Sequence, residues 1–341
     1  MNELKRKNHY VPQMYLSRWG NNKKLFEYSL LVQHPNVPIW NHRAIKYIAM
    51  QRDLYIFADN GIENDIIEVI FDSRFENPAR EPIDKLCKNN PLCTREWGIV
   101  TDFILAQFVR TPAYYLWVHE ISRTAIPTLL DSISIKLQNK EYLNSPVNKR
   151  SLGIQFPMKV EIESSKYEPS EKQLKMSVVN GKGLWLHTIQ QDLRIGSHIW
   201  SFFRSLNWSV VSSAKNILWP TCDNPVVACE MYGDILYRIQ PSSGIQGKNK
   251  VFLFPISPQM ALIGTQGKQL PTRMNASVIL SKEIKLAIIH NALMYIYCDS
   301  NDMDIPLIRP RTVDYEQYNR IMEDFKQWHE LYMNTEGNYS F

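Results

Sequence analysis

The distribution of apolar and polar positions along the chain predicts both helices and strands. Residues 95–112 (REWGIVTDFILAQFVRTP) are apolar on nearly every side and predict a buried helix. Pro112 should interrupt it, and a second helical run continues to about Asn139. Asn60, followed three residues later by Glu63, resembles a capping box at the start of another helix. The further helices are predicted at 60–76, 183–205, 282–293 and 314–334.

Strand-like alternation is concentrated in the C-terminal half of the chain. The runs are KKLFEYS, FPMKVEIE, LKMSVVN, NWSVVSS, NPVVACE, VFLFPIS, QMALIG and YIYC. Because there is no regular βαβα alternation, we predict an α+β fold, with a helix-rich N-terminal half packed on a mixed or antiparallel sheet formed mainly by the C-terminal half. We expect one large domain over 1–341, with 140–155 as the weakest point for an internal boundary.

Composition narrows the class of protein. The 341 residues are 44% hydrophobic and 21% charged, as in a globular protein, and no apolar run is long enough to predict a membrane span. No export segment is evident, and five cysteines without CxxC spacing indicate reduced residues of a cytoplasmic protein.

The net charge of +5 is concentrated near the N-terminus. Over residues 1–24 the only acidic residue is Glu3. The basic ones are Lys5, Arg6, Lys7, Arg18, Lys23 and Lys24. Such a segment could bind RNA or DNA through phosphate groups, although charge alone favours a solvated terminus that aids solubility.

Two polar groups stand in apolar surroundings. Phe103, Gln107 and Arg110 share one face of the predicted helix, and a buried arginine needs either an internal carboxylate or an anionic ligand. Asp223 and Asn224 follow a strand-like segment and precede Pro225, which is compatible with an Asx turn or with a functional loop.

Two further polar stripes favour solvated helix faces. The first stripe contains His187, Gln191, Arg194 and His198, and its two histidines would lie about 16 Å apart on one helix, too far to share a metal. The second contains Glu63, Asp65, Glu68 and Asp72, which could hold a divalent cation but more commonly form an exposed face. Nucleotide-binding loops, HExxH, GxSxG and kinase motifs are absent.

Six segments in chain order resemble a bacterial and phage-associated family catalogued as domain of unknown function 4238, whose hallmark is an opening His-Tyr-Val-Pro-Gln. They are NHYVPQMYLSRW, IENDIIE, QFVRTP, NWSVV…WPTCDNPVV, FPISP and NALMYIYCDS, and they span roughly residues 7–300. The family's motifs fall on His9, Tyr10, Pro12, Gln13, Gln107, Arg110, Asp223, Asn224 and Pro225. Trp19 stands where phenylalanine is more usual and Cys222 where serine is, and both changes leave the polar set intact.

The resemblance implies a site rather than a reaction. The family is scattered among mobile elements and phage-defence neighbourhoods, which implies a toxin or a defence effector, by association only. Our first hypothesis is a ribonuclease-like hydrolase acting on nucleic acid. In it, His9 exchanges protons at neutral pH, Asp223 orients it or supplies a second acid/base group, and Arg110 holds a phosphate. The residues expected to bind substrate are Lys7, Tyr10, Gln13, Gln107 and Asn224.

The alternative hypothesis is a recognition module that senses a phage or host component without catalysis, in which the same residues form a structural polar network. A partner encoded by a neighbouring gene is compatible with either. No cofactor is expected. A divalent metal held by His9, Glu63, Glu68 and Asp223 is a weaker third hypothesis, because no dense ligand spacing supports it.

Overall fold

The computed structural model describes residues 3–59, 61–122, 128, 158–164, 172–178, 181–239, 247 and 249–335. The first 64 residues contribute short strands and one helical turn. The strands are β1 (Lys7–His9), β2 (Lys24–Ser29), β3 (Leu31–Val32), β4 (Trp40–Ala44), β5 (Met50–Arg52), β6 (Phe57–Asp59) and β7 (Ile62–Asn64). Helix α1 (Gln13–Leu16) runs into a 3₁₀ turn at Ser17–Trp19, and a second such turn covers Ile45–Tyr47.

A helical region follows. Helix α2 (Ile66–Ile70) continues directly into a π-helix (Phe71–Glu76) and then into α3 (Asn77–Cys87). Helix α4 (Thr94–Val109) is capped at its start by the Glu96 carboxylate, and α5 begins at residue 112 and is described to residue 122. The later helices are α6 (Lys182–Asp192), α7 (His198–Arg204), α8 (Val278–Asn291), α9 (Asp304–Ile308) and α10 (Tyr315–Thr335).

The remaining strands come from the C-terminal part of the chain. They are β8 (Met158–Ser164), β9 (Lys172–Val178), β10 (Asn207–Ser212), β11 (Thr221–Cys222), β12 (Val227–Tyr232), β13 (Ile235–Arg238), β14 (Lys250–Ser257), β15 (Met260–Thr265), β16 (Arg273–Asn275), β17 (Tyr295–Cys298) and β18 (Thr312–Val313). A six-stranded sheet has the order β13-β12-β14-β15-β10-β16, and a four-stranded sheet has the order β11-β17-β2-β4. Two-stranded pairs are β1-β5, β3-β18, β6-β7 and β8-β9.

The six-stranded sheet carries a hydrophobic core on each face, because alternate residues of its central strands point to opposite sides. On β14, Phe252 and Phe254 pack in one core with residues of α4, from the N-terminal half of the chain, and of α7, from the C-terminal half. Val251 and Leu253 of the same strand pack on the opposite side with Ile284 and its neighbours on α8. The second core also takes in residues of the four-stranded sheet, so the two sheets and α8 are joined through one apolar layer.

The α+β class is confirmed, whereas some boundaries differ from the predicted ones. The helix predicted from Asn60 begins only after Asp65, because Phe57–Asp59 and Ile62–Asn64 instead pair as β6 and β7, with Gly61 at φ 78°. Residues 183–205 form two helices rather than one, since Gly196 at φ 84° breaks the run and the Ser197 side chain caps α7. Seven strands also precede residue 65, so strands are less confined to the C-terminal half than expected. The continuation of α5 to about Asn139 lies outside the described residues.

Candidate functional site

A cavity of about 890 Å³ lies beside His9, where β1, α1 and the turn before β2 face α2 and the π-helix. His9 and Gln13 line it from the N-terminal segment. Its acidic lining residues are Glu68, Asp72 and Glu76. Its basic lining residues are Lys5, Lys23, Lys24, Lys46 and Arg80. We call this space the His9 cavity.

The opening motif of the chain builds one wall of the cavity. His9 ends β1, where it pairs with Met50 of β5, and the Tyr10 N–H donates to the Ala49 carbonyl at 2.9 Å. Pro12 precedes α1 with φ −61° and ψ 143°. Its ring fixes φ near this value, and it has no N–H group that would need a hydrogen-bond partner at the start of the helix. The bend turns Gln13 to the cavity as an exposed residue.

The His9 imidazole is half-buried and lacks one hydrogen bond. Its Nε2 atom is buried and has no partner among the described residues. Burial lowers the pKa of His9 and the Arg110 charge lowers it further, while a hydrogen bond with the Lys46 backbone and the Glu76 charge oppose the change. The ring is therefore neutral at pH 7 and able to accept a proton.

Glu68 supplies a second incompletely bonded group in the same cavity. Its Oε2 atom is buried and has no partner in the described part of the chain. Burial raises the pKa of Glu68 to about 7; the nearby Arg110 charge lowers it, and Glu76 raises it. The carboxyl group is thus about half protonated at neutral pH. Titratable groups with displaced pKa values in a shared cavity are typical of acid/base sites.

Arg110 is sealed beneath this cavity rather than open to it. Its side chain is fully buried, pairs with the Glu76 carboxylate at 2.7 Å and donates to the His9 carbonyl oxygen. The guanidinium also lies 4.2 Å from the centre of the Phe71 ring. These contacts match the internal ion pair that the sequence left open for Arg110, and they fix the backbone of His9 in place. They leave its guanidinium without access to a substrate phosphate.

The π-helix is what brings Glu76 under the cavity. Six residues, Phe71–Glu76, form this wide turn between α2 and α3, and it places Phe71 and Phe75 in the core. Long π-helical runs are rare and occur mostly at functional sites, because the wider turn displaces side chains from their α-helical positions. Here the segment places Asp72 against Lys5 and Glu76 against Arg110.

Asp223 is engaged elsewhere. Its carboxylate accepts the backbone N–H groups of Leu293 at 2.7 Å, Met294 at 2.6 Å and Tyr295 at 3.0 Å. Only 4% of the residue is exposed, and it does not line the His9 cavity. Burial raises the pKa of Asp223 to about 6, although the hydrogen bonds from the three N–H groups lower it. The structure therefore brings His9 and Arg110 together but leaves no free Asp223 oxygen to orient His9.

The other residues expected at the site are dispersed. Tyr10 is 8% exposed and does not line the His9 cavity; burial raises its pKa well above the ordinary value, and the Asp223 charge raises it further. Gln107 is fully buried, and neither of its amide atoms has a partner among the described residues. Lys7 is exposed opposite Arg52 on the β1–β5 pair, and Asn224 lines a different cavity, described below. Of the expected substrate-binding residues, only Gln13 lines the His9 cavity.

Part of the basic N-terminal segment forms ion pairs with carboxylates from several elements. Lys5 pairs with Asp72 at 3.3 Å, and Arg6 pairs with Asp53 at 2.7 Å and with Glu63. Arg18 likewise pairs with Asp84 at 2.8 Å. The acidic stripe is thus a docking face for the N-terminus and not a solvated face. In the described part of the chain no carboxylate pairs with Lys23, Lys24, Lys46 or Arg80, so the rim of the His9 cavity keeps an excess of positive charge.

The structure also bears on the histidine stripe, on metal-ligand clusters and on membrane-spanning helices. The stripe from His187 to His198 spans the break between α6 and α7, and Gln191 lies 3.5 Å from the His187 ring within α6. Within the described ranges, no three histidine, cysteine, aspartate or glutamate side chains gather closely enough to hold a metal ion. No helix of the described chain combines the length and apolarity needed to cross a bilayer.

Glu76 was not assigned to a site from the sequence, and Glu68 was considered only as a ligand in the metal hypothesis. The signal was present in part, since Glu68, Asp72 and Glu76 recur every four residues along one helical face. Nothing local distinguishes this spacing from a solvated acidic stripe. The distinction arises from long-range contacts, because His9 and Arg110 cover the stripe from segments 34 or more residues away in the chain.

Comparison with known proteins gives a family. No curated protein and no solved structure matches the chain. A family model described as "Protein of unknown function (DUF4238)" matches residues 7–323, slightly more of the chain than the motifs covered. The matched region contains every lining residue of the His9 cavity except Lys5, and it ends within α10. The chain belongs to this family of proteins of unknown function, DUF4238.

Proposed function

We propose that the protein is a metal-independent ribonuclease whose reaction takes place in the His9 cavity. The observation that carries the proposal is the pairing of two unsatisfied titratable atoms, His9 Nε2 and Glu68 Oε2, in one cavity with a cationic rim. An uncompensated buried polar atom costs about 1–3 kcal/mol, so two in one cavity point to a role in chemistry. This proposal keeps His9 as in our first hypothesis and takes Glu68 in place of Asp223.

The proposed reaction uses the substrate's own hydroxyl as the nucleophile. Neutral His9 removes the proton from a ribose 2′-hydroxyl, and the resulting oxygen attacks the adjacent phosphorus. The bond from phosphorus to the 5′-oxygen of the next nucleotide breaks, and protonated Glu68 donates its proton to that oxygen. The products are a 2′,3′-cyclic phosphate and a free 5′-hydroxyl. The displaced pKa values put both groups in the required protonation states near pH 7.

The rim residues supply substrate binding in this proposal. Lys23, Lys24 and Lys46 are exposed along one side of the cavity, and Arg80 is exposed on the other. Contacts of this kind bind a phosphate backbone without sequence preference and are screened by salt. Gln13 is the neutral rim residue able to hydrogen-bond to a base or a ribose.

The test compares substrates that differ only at the nucleophile. Purified protein is incubated, with EDTA present, with a single-stranded RNA, its DNA equivalent and its 2′-O-methyl equivalent. We expect cleavage of the RNA alone and 2′,3′-cyclic phosphate ends. His9→Ala should abolish cleavage yet retain the fold, because Arg110 bonds to the His9 backbone carbonyl, which the substitution leaves in place. His34→Ala, a change at an exposed histidine outside the cavity, should cleave normally. Cleavage of DNA, or activity in folded His9→Ala, would refute the proposal.

A second candidate function has its own support. The structural contacts of Arg110 and Asp223 are those expected of a non-catalytic recognition module, in which the motif residues maintain a binding surface. Under that alternative, RNA binds to the cationic rim without being cleaved, and His9→Ala leaves binding unchanged. The same incubation separates the two functions.

A ribonuclease of this kind would work in the cytoplasm as a toxin or a phage-defence effector, and a protein encoded by a neighbouring gene could inhibit it. Expression of the wild type should then arrest growth, and expression of His9→Ala should not.

A further inference from the structure

A second cavity, of about 350 Å³, lies on the other side of the α4–α5 junction from the His9 cavity. The two are separated by consecutive residues of the QFVRTP motif: Arg110 sits beneath His9, while the Thr111 hydroxyl lies 3.4 Å from Asn224 Oδ1. The second cavity is lined by Trp117, Asn224, Arg238, Asn291 and Arg309, and we call it the Trp117 cavity. Its volume is within the range of small-ligand sites.

Two guanidinium groups of this cavity have no carboxylate partner in the described part of the chain. Arg238 donates to the His290 carbonyl oxygen, and Arg309 donates to the carbonyl oxygens of Ile289 at 2.7 Å and Ala292 at 2.8 Å. These carbonyls at the end of α8 orient the side chains but carry no full charge. Burial lowers the pKa of Arg309, and the Arg238 charge lowers it further, while Asp223 opposes the change. An anion between the two guanidiniums would relieve this repulsion.

The carboxylates near the cavity accept hydrogen bonds from groups other than Arg238 and Arg309. Asp223 accepts three backbone N–H groups, and Glu283 accepts the Leu236 N–H at 3.2 Å. Asp192 accepts the Tyr114 hydroxyl at 2.5 Å, and burial raises its pKa to about 6. None of them forms an ion pair with Arg238 or Arg309, so the site keeps its positive charge.

The opposite wall is aromatic. Tyr114 and Trp117 have ring centres 4.9 Å apart, and Phe108 lies 5.3 Å from Tyr114. The buried Nε1–H of Trp117 has no acceptor among the described residues. The Asn224 amide is weakly held, since its two hydrogen bonds, with Thr111 and with the Asn291 carbonyl, are both 3.4 Å long. The wall therefore offers a ring surface together with donors and acceptors suited to the edge of a base.

We propose that the Trp117 cavity binds a nucleoside monophosphate, with the phosphate between Arg238 and Arg309 and the base against Trp117. A dianionic phosphate matches two guanidiniums better than a single carboxylate does, because it carries two charges and three terminal oxygens that can accept from both. A planar base matches the aromatic wall and the amide beside it. The inference stands independently of the ribonuclease proposal, since it uses none of the His9 cavity residues.

Titration calorimetry of the full chain with AMP, GMP, CMP and UMP tests the proposal, with adenosine, benzoate and inorganic phosphate as comparison ligands. We expect at least one monophosphate to bind one-to-one, and the comparison ligands to bind at least about tenfold more weakly. Arg238→Gln should weaken monophosphate binding about tenfold or more, and Trp117→Phe should weaken it several-fold by removing the indole N–H. Arg238 is exposed and outside both cores, so the variant should melt like the wild type.

Matched variants distinguish this site from the His9 cavity. Arg194→Gln removes an exposed arginine outside both cavities and should leave binding unchanged, as should His9→Ala and Lys24→Gln. The proposal is overturned if no monophosphate binds at 1:1 stoichiometry with a Kd below about 1 mM, if benzoate binds as tightly, or if folded Arg238→Gln binds like the wild type. Loss of binding in Lys24→Gln would also overturn it, because the ligand would then occupy the His9 cavity.

Discussion

Four polar residues of the motifs and the cavity fall into two groups: two that internal partners hold, and two that line the His9 cavity with an unbonded atom. Asp223 uses both carboxylate oxygens on backbone amides, and Arg110 is held by a carboxylate and a carbonyl. Arg110, in the first group, also leaves its Nε atom without a partner among the described residues. His9 and Glu68 each keep a buried atom without a partner among the described residues. We therefore expect substitutions in the first group to change stability and substitutions in the second to change activity.

Asp223→Asn should lower the free energy of unfolding by about 2–4 kcal/mol. The new amide can accept hydrogen bonds through one atom only, and its NH₂ group faces backbone N–H donors of residues 293–295. Urea unfolding followed by circular dichroism measures the change. Asp299→Asn is the matched control, since Asp299 is exposed and accepts a hydrogen bond from the neighbouring Ser300 hydroxyl. Equal stability of the two variants would contradict the structural role of Asp223.

Lys23→Gly should stabilise the fold and weaken RNA binding at the same time. Asn22 and Lys23 have φ values of 50° and 61° between the paired residues Asn21 and Lys24, which is a type I′ turn with lysine where glycine is usual. Glycine relieves about 1 kcal/mol of strain, and loss of the charge reduces the salt dependence of RNA binding.

Urea unfolding and fluorescence anisotropy at several salt concentrations measure the two effects of Lys23→Gly. Asn22→Gly is the control, because it alters the same turn without changing the charge. If Lys23→Gly bound RNA with the affinity and salt slope of Asn22→Gly, Lys23 would have no part in binding.

Glu68→Gln should remove a pH dependence of stability. The pKa of Glu68 in the folded protein, about 7, lies above its ordinary value of 4.5, so the folded state holds the proton more tightly than the unfolded state. Stability from this group is present below pH 4.5 and is lost as pH rises towards 7, by up to about 3 kcal/mol. Melting temperatures from pH 5 to 8 should fall for the wild type and stay flatter for Glu68→Gln. Parallel curves for the two proteins would show that Glu68 is not held in its neutral form.

At the scale of the elements, the position of α10 depends on contacts of a half-buried histidine, His329. His329 Nε2 lies 2.6 Å from Glu63 Oε1, its Nδ1 lies 2.9 Å from Lys182 Nζ, and Trp328 beside it stacks on Trp185. Burial and the Lys182 charge lower the pKa of His329, although Glu63 opposes them. The helix is therefore held in place with a neutral ring.

Acidification should loosen α10. A histidine with a lowered folded pKa contributes stability above its unfolded pKa of about 6.5, and that stability is lost as pH falls below this value. Hydrogen exchange, corrected for the intrinsic pH effect, should show protection over residues 315–335 at pH 7.5 and reduced protection at pH 5.5. His329→Gln should remove the difference, and the control His42→Gln, at an exposed strand residue, should retain it. Equal protection of wild-type α10 at both pH values would contradict this account.

A helix or strand could be predicted from the sequence when the residue pattern within that element was enough to identify it. The strands of the six-stranded sheet alternate or run apolar over five or more residues, and all the longer ones were predicted at nearly their observed positions. The β6–β7 hairpin was not, because its residues also fit the start of a helix and only pairing across Gly61 decides between the two. The π-helix likewise has no sequence signal that distinguishes it from an α-helix.

At the scale of the whole molecule, the candidate site combines segments that are far apart in the chain. Arg110 donates to the His9 backbone carbonyl from 101 residues away, and the family that the motifs indicated is confirmed over residues 7–323. The motifs could not show that Arg110 faces Glu76, that Asp223 faces the 293–295 turn, or that Glu68 is covered by the N-terminal strand. Each of these depends on which side of an element is buried by a distant segment, and that is a property of the assembled fold.

The pH dependence of RNA cleavage from pH 5 to 9 tests the central claim most directly, since the claim is that His9 and Glu68 exchange protons with the substrate. Cleavage should peak between the lowered pKa of His9 and the Glu68 value of about 7, and should decline above it as Glu68 loses its proton. Glu68→Gln, with no proton to donate, should lose most of the activity over the whole range. A rate that keeps rising through pH 8, or a Glu68→Gln profile that coincides with that of the wild type, would contradict the account.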